Sequence, residues 1–306
     1  MRTKVLDAAS VGVLAGDALS RPSNANVFAS FERSFCLDVG GTLITVGDGS
    51  LHDGPLNVRL TGYHDAAFTA DHGIEVSQCW MTSPDRLRRT DGLTVNLANA
   101  IVWQPEIPAA GPNLSKPRDG LNNLLALLQE RDLENDGLIR LVLPDPCPRT
   151  PTERTAMPHI EALKTDLPRW LSDDIPPDPN PAIQLLGLGP GLTPSGDDLL
   201  AGILIAWHHL GASEMSNRLG HLLVAASAAR TTPISQAHLI AAAKGYGASP
   251  LHRLLKALIA DRRAELAETL DAVAKIGHSS GMDAVAGMVL ALTAWLQADR
   301  NVPINA

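Results

Sequence analysis

The chain has 306 residues, 45% hydrophobic and 19% charged, which fits a folded globular protein and excludes a disordered one. Its formal charge of −8 argues against a nucleic-acid groove or an anionic membrane surface as the main partner. A local anion site stays open, because backbone amides can build one without Lys or Arg.

From the N-terminus, residues 5–19 form a mildly apolar run interrupted by Asp7 and Asp17, with no clean cleavage signal after it, so no signal peptide is read. Aromatics are only 4%, so the core must be built from Leu, Ala, Val and Ile. Strand patterns follow. Residues 35–39 and 42–46 flank Gly40-Gly41, a two-residue hairpin signal. Residues 57–60, 73–80 and 93–97 alternate apolar and polar positions, and 101–103 adds a last short run. Many short strands with Gly, Asp and Pro turns predict a small barrel or sandwich over residues 1–105. Cys36, Cys79 and Cys147 are widely spaced, without a CxxC pair or a Cys/His ligand cluster. No zinc ribbon or disulfide framework is expected, and three reduced thiols suit a cytoplasmic protein.

After Pro105 the texture turns helical. Leu121, Leu124, Leu125 and Leu128 recur at helical spacing, and 138–143 reads as one more strand. Pro176-Pro177-Asp178-Pro179-Asn180-Pro181 is a stiff connector. Residues 106–182 are therefore expected to be a mixed connecting region, and 183–306 a helical domain. Its helices are predicted near 195–210, 214–229, 233–243, 250–260, 261–276 and 281–297. Gly245 and Gly277 stand where C-caps are expected. The longest apolar stretches, 199–207 and 284–296, are too short to span a bilayer and read as buried helices. The fold class is α+β, with β-rich sequence first and helices last.

Two glycine-rich turns each open such a helix. The first is Gly187-Leu188-Gly189-Pro190-Gly191-Leu192-Thr193-Pro194-Ser195-Gly196-Asp197-Asp198. The second is Gly277-His278-Ser279-Ser280-Gly281-Met282-Asp283. Set 85 residues apart, they share Ser195/Ser280, Gly196/Gly281, Asp198/Asp283, Ala201/Ala286, Gly202/Gly287 and Ala206/Ala291. Each helix then has one face that is acidic at its start and small after it. Small faces let backbones approach, so the two helices are expected to pack with both turns at one end.

Unpartnered amides and a positive dipole suit such helix starts to anions. Ser195-x-x-Asp198 and Ser280-x-x-Asp283 also fit capping boxes, and caps alone would account for both pairs. The first loop is neither a Walker A loop nor a Rossmann fingerprint. Amides of Gly189, Gly191 and Gly196 are expected to hold phosphate or carboxylate, with Thr193 and Ser195 beside them. A Cβ at Gly191 or Gly196 is expected to block that approach. Amides near Ser279, Ser280 and Gly281 are expected to stabilise an oxyanion. His278 is a proton carrier or an anion contact. Asp197 or Asp198 is placed to hold an NH₂ group or Mg²⁺, although nothing in the sequence requires a metal or cofactor. Asp198 and Asp283 are expected to differ in role. His208 and His209 fit a helix C-terminal dipole. Thr232 is positioned to cap a helix with Pro233 at its first turn, and Thr232 and Ser235 are alternatively anion contacts.

These residues resemble the AllH-like subunit family of bacterial oxamate carbamoyltransferase. The likeness is sharp over 185–290, where Gly187 to Asp198, Gly202, Thr231 to Ser235, Gly277 to Gly281, Asp283 and Gly287 carry it. Asn26-Val27-Phe28 and Gly54-Pro55 are weaker landmarks. The resemblance implies a subunit of a complex of anaerobic allantoin and purine breakdown. That complex cleaves N-carbamoyl-oxamate with phosphate, giving oxamate and carbamoyl phosphate. It implies small anionic substrates and companion subunits, one resembling acyl-CoA synthetases. A non-catalytic anion-binding or scaffold subunit and a stand-alone amide hydrolase are the alternatives.

Overall fold

The two glycines at Gly40 and Gly41 take positive φ, +60° and +88°, so the chain reverses there in two residues. The computed structural model describes residues 4–62, 67–107, 117–133, 137–172 and 177–298. The chain divides into two units, residues 1–105 and 106–306.

The first unit carries β1 (Val5–Gly12), α1 (Val13–Ala18), β2 (Ser23–Ser30), β3 (Ser34–Val39), β4 (Thr42–Gly47) and β5 (Asn57–Leu60). It continues with α2 (Phe68–Asp71), β6 (Cys79–Ser83), β7 (Arg86–Arg89), β8 (Thr94–Asn96) and β9 (Ile101–Trp103). The sheet order is β5-β4-β3-β2-β6-β7-β8-β1, and β1 pairs back to β5, so eight strands close into a barrel. β9 adds to β1 beyond the reach of β8. The sheet is mixed, with β4–β5 and β1–β8 parallel, and closure limits the free edges that invite aggregation. Alternating side chains point inward. Phe35 and Trp80 stack at 5.4 Å in the interior, among Leu37, Ile44, Val46, Val58, Leu87 and Val95.

The sequence pattern misplaces β6 and gives no strand for β1, β2 or β7. Of residues 73–80, only the end enters β6, because Gly73 and Ser77 take positive φ. β7 was not expected. Arg86, Arg88 and Arg89 hide its alternation, and only Leu87 is buried.

The second unit begins with α3 (Pro117–Gln129), a 3₁₀ turn at Ile139–Val142, α4 (Pro151–Ser172) and α5 (Asn180–Leu185). Then come α6 (Ser195–His209), α7 (Ser213–Ser227), α8 (Pro233–Ala242), α9 (Ser249–Ile259), α10 (Arg263–Val273) and α11 (Ser280–Ala298). The apolar run 138–143 is a 3₁₀ turn rather than a strand. Its Leu138, Ile139 and Leu141 are buried beside α11. The described part of residues 106–182 packs into the helical core itself. Leu124, Leu128, Ile160, Leu163 and Leu167 share one cluster with Leu200, Leu204 and Leu292. Of the Pro-rich run 176–181, residue 176 lies outside the described residues, and the rest leads straight into α5.

α11 is the axis of this unit, packed against α6, α4, α3 and the 3₁₀ turn. Among the described residues it is the one helix long and apolar enough to cross a membrane, and 78% of that stretch is buried inside the protein.

Candidate functional site

The two glycine-rich turns are built alike. α5 ends at Leu185 and α10 at Val273, and each chain then loops back to start a buried helix. Gly196 and Gly281 sit in the first turn of those helices, against the last carbonyl of the helix before. A Cβ at Gly196 would stand 2.0 Å from the Leu185 carbonyl oxygen, and one at Gly281 2.0 Å from that of Val273. The Gly196 amide donates to Leu188 O at 2.9 Å, and the Gly281 amide to Ile276 O at 3.1 Å. Neither amide is therefore turned toward a ligand, and both glycines serve packing. Gly189 and Gly191 differ, with φ of +123° and +89°. The space around a Cβ at Gly191 is open, so its backbone lies at the exposed tip of the loop.

The paired helices approach backbone to backbone. A Cβ on Gly202 would lie 2.0 Å from Ala284 O, and one on Gly287 1.9 Å from Leu199 O. Because Gly202 matches Gly287 and Leu199 matches Ala284, the two contacts are exchanged by a local two-fold. They fall within two turns of each helix start. The turns accordingly meet, with Thr193 Oγ1 and Ser280 Oγ 2.9 Å apart. The helices begin at Ser195 and Ser280 themselves, with Pro194 as the N-cap of α6 and no side-chain cap bond there. The serines thus stand one position too late to cap.

Three carboxylates gather at this junction with different surroundings. Asp197 is 1% exposed and fully engaged. Its Oδ1 accepts the Gly187 amide at 2.8 Å; its Oδ2 accepts the Ser235 hydroxyl at 2.6 Å and the Thr231 hydroxyl. It ties the glycine loop to α8. Asp283 is also fully buried, and its Oδ1 accepts the Leu138 amide at 2.6 Å. Gly137 lies so close that a Cβ would overlap that carboxylate. Asp283 therefore anchors the 3₁₀ turn to α11.

Asp198 faces the hydroxyls of Ser280 and Thr193. Its Oδ2 is cut off from solvent and has no hydrogen-bond partner. Burial pushes this carboxyl well above the usual carboxylate range. Asp283 and Asp197 push the same way, while the two hydroxyls pull it back. Among the described residues no group of three His, Cys, Asp or Glu could hold a metal ion.

A cleft of about 270 Å³ opens beside the turns. Pro190 and Ser195 line it from the first turn, His278 and Ser279 from the second. Gly137, Leu138, Thr150, Thr152 and Glu153 complete it. The last three form the start of α4, where Glu153 Oε2 accepts the Arg149 and Thr150 amides and Thr150 Oγ1 accepts the Glu153 amide. This reciprocal cap was not anticipated, although Thr150-Pro151-Thr152-Glu153 spells it out.

Thr232 is the N-cap of α8, accepting the Ser235 amide at 3.1 Å, and its hydroxyl donates to Leu192 O. Ser235 is spent on Asp197. His208 and His209 do not serve a helix dipole as cations. Both are buried and neutral-favouring, His208 bonded to Ser213 and Ala243 O, His209 to His252.

The repeated turn, its crossed small-faced helices and the Thr231 to Ser235 segment all fall in one stretch. Residues 185–292 match the family described as oxamate carbamoyltransferase subunit AllH. The matched stretch supplies α6, α8, most of α11 and both turns. That description is of one subunit of an enzyme. The barrel and α4, which contributes Thr150, Thr152 and Glu153 to the cleft, lie outside the matched residues. No solved structure matches the chain.

Proposed function

We propose that the helical unit holds the carbamoyl donor of a carbamoyltransferase complex, and that the reaction is phosphate-dependent cleavage of N-carbamoyl-oxamate to oxamate and carbamoyl phosphate. The observation that supports this most is the junction of the two turns. It places the Asp198 carboxyl, with one oxygen unpartnered, and two hydroxyls, Thr193 and Ser280, at paired helix starts near a cleft lined by His278. Helix starts favour the phosphate and carboxylate ends of such a substrate.

In this reading a phosphate oxygen adds to the carbamoyl carbon. Amides of the Ser279–Ser280 turn, with the Thr193 and Ser280 hydroxyls, steady the oxyanion. The bond from the carbamoyl carbon to the oxamate nitrogen then breaks. The proton carried by hydrogen phosphate ends on that nitrogen, and His278 is the group placed to carry it. Gly189 and Gly191 offer their backbone to the anionic end. Asp197, Asp283, Gly196 and Gly281 act by holding the turns together. Companion subunits, an acyl-CoA-synthetase-like chain among them, and a cytoplasmic place in purine and allantoin breakdown belong to the same proposal.

The test is cleavage of N-carbamoyl-oxamate by the full chain, alone and with its companion subunits, with and without phosphate. Carbamoyl phosphate formed only when phosphate and this chain are both present is the expected result. Cleavage without phosphate would make the chain a hydrolase. Companions that are fully active without this chain would leave it a scaffold at most.

A further inference from the structure

Resting on the reading above, we propose that Glu153, at the start of α4, recognises the carbamoyl NH₂ of the ligand, its Oε1 accepting one of the two N–H groups.

Glu153 closes the reciprocal cap of a 22-residue helix, and the cap uses only half of its carboxylate. Oε2 accepts the Arg149 amide at 2.5 Å and the Thr150 amide at 2.7 Å. Two donors on one oxygen fix the carboxyl group in place. Oε1 accepts no hydrogen bond from the described residues, and unlike Asp198 Oδ2 it is not shut off from solvent. Only 4% of Glu153 is exposed, and the cleft beside the glycine-rich turns is the opening that it lines. A carboxylate oxygen can only accept, so the group that satisfies Oε1 there is a donor.

The rest of the cleft wall offers donors. Ser195, 5% exposed, lines it, and its hydroxyl has no hydrogen-bond partner among the described residues, whereas that of its repeat mate Ser280 bonds Thr193 at 2.9 Å. Ser279 adds a hydroxyl, and α4, α6 and α11 all begin here. Among the described lining residues Glu153 is the one carboxylate. A ligand that fits brings both kinds of group, an N–H for Glu153 and carbonyl or anionic oxygens for the hydroxyls and helix starts. A dicarboxylate brings only the second kind and sets its charge against Glu153. A ureido acid carries both, with NH₂ at one end and carboxylate at the other. Because α4 precedes residues 185–292, this contact comes from outside the matched stretch.

N-carbamoyl-oxamate and N-acetyl-oxamate are near-isosteric, carry the same charge and differ in NH₂ against CH₃, so they are the probes. Titration calorimetry on the full chain, without phosphate and with EDTA, is expected to show the carbamoyl ligand binding at least about tenfold tighter, the weight of one charge-assisted hydrogen bond. Glu153→Gln keeps an oxygen for the Arg149 and Thr150 amides, since Gln also closes such a cap, and puts an NH₂ where Oε1 stood. It is expected to bring the ratio of the two affinities close to one. Should that variant not fold, the ligand pair on the unaltered chain still decides. Equal affinity of the unaltered chain for both ligands, or a preference that survives Glu153→Gln, overturns the proposal and leaves the functional reading intact. Binding of the two ligands only once magnesium is in excess of EDTA gives Oε1 to a cation and overturns it as well. Failure of N-carbamoyl-oxamate to bind under any of these conditions, companion subunits included, overturns the functional reading and this proposal with it.

Discussion

Asp197 and Asp198 are neighbours in sequence and opposites in surroundings. Asp197 receives three hydrogen bonds inside the protein, from Gly187, Thr231 and Ser235. Asp197→Asn puts an NH₂ against donors, and is expected to cost about 3 kcal/mol by denaturant unfolding, since charged hydrogen bonds contribute roughly 1.5–3 each. Asp198 behaves inversely. Its folded pKa lies above the ordinary 3.8, so the fold prefers it protonated. That contribution is complete below the ordinary value and is lost as pH rises through the raised one. Asp198→Asn is neutral throughout, so its Tm should not fall across that window where the parent's does. Tm measured from pH 4 to 8 for both proteins checks the sign. A parent Tm that rises more steeply than the variant's would refute it. The sequence made both acids visible but not their division of labour. That division depends on the Thr231 and Ser235 hydroxyls, brought 34 and 38 residues back along the chain by folding.

At the scale of elements, α6 and α11 approach as closely as they do because two glycines face backbone. Gly287→Ala places a methyl group 1.9 Å from Leu199 O. The helices must part, at a cost of about 1–3 kcal/mol for such overpacking. A Tm equal to the parent's would show that the pair is loose. A second device lies at the far end of α6. The Gly247 amide donates to His252 Nε2, so the His252 proton is on Nδ1 and is given to His209 Nε2. Burial lowers His209 to about 4 and His252 to about 3, from 6.5. Their stabilisation is complete above pH 6.5 and is lost as pH falls toward those values. His252→Gln should flatten the acid limb of the Tm curve, and an unchanged limb would contradict it. The repeat was legible from spacing alone, as were both buried helices and the Gly40-Gly41 hairpin. α4 was not, because Pro158 and Pro168 lie inside it and break the usual helix signal. The 3₁₀ turn was read as a strand, because a short apolar run has no period to separate the two.

Across the whole molecule, the matched family segment covers residues 185–292, while the cleft also takes side chains from the start of α4. The chain's net charge of −8 does not oppose an anionic ligand at this point, because the receiving groups are helix starts and hydroxyls. Ion pairs such as Arg86–Asp85 and Lys164–Glu161 are exposed and contribute little. Stability rests on the two separate apolar cores, so changes at the site should be read in activity and binding without unfolding the barrel. The central claim is that two turns, 85 residues apart, form one site. A crystal structure of the full chain soaked with oxamate tests it directly. The account predicts oxamate between the turns, in the cleft lined by Ser195, His278 and Ser279. Oxamate bound to one turn alone, or in the barrel, would contradict it.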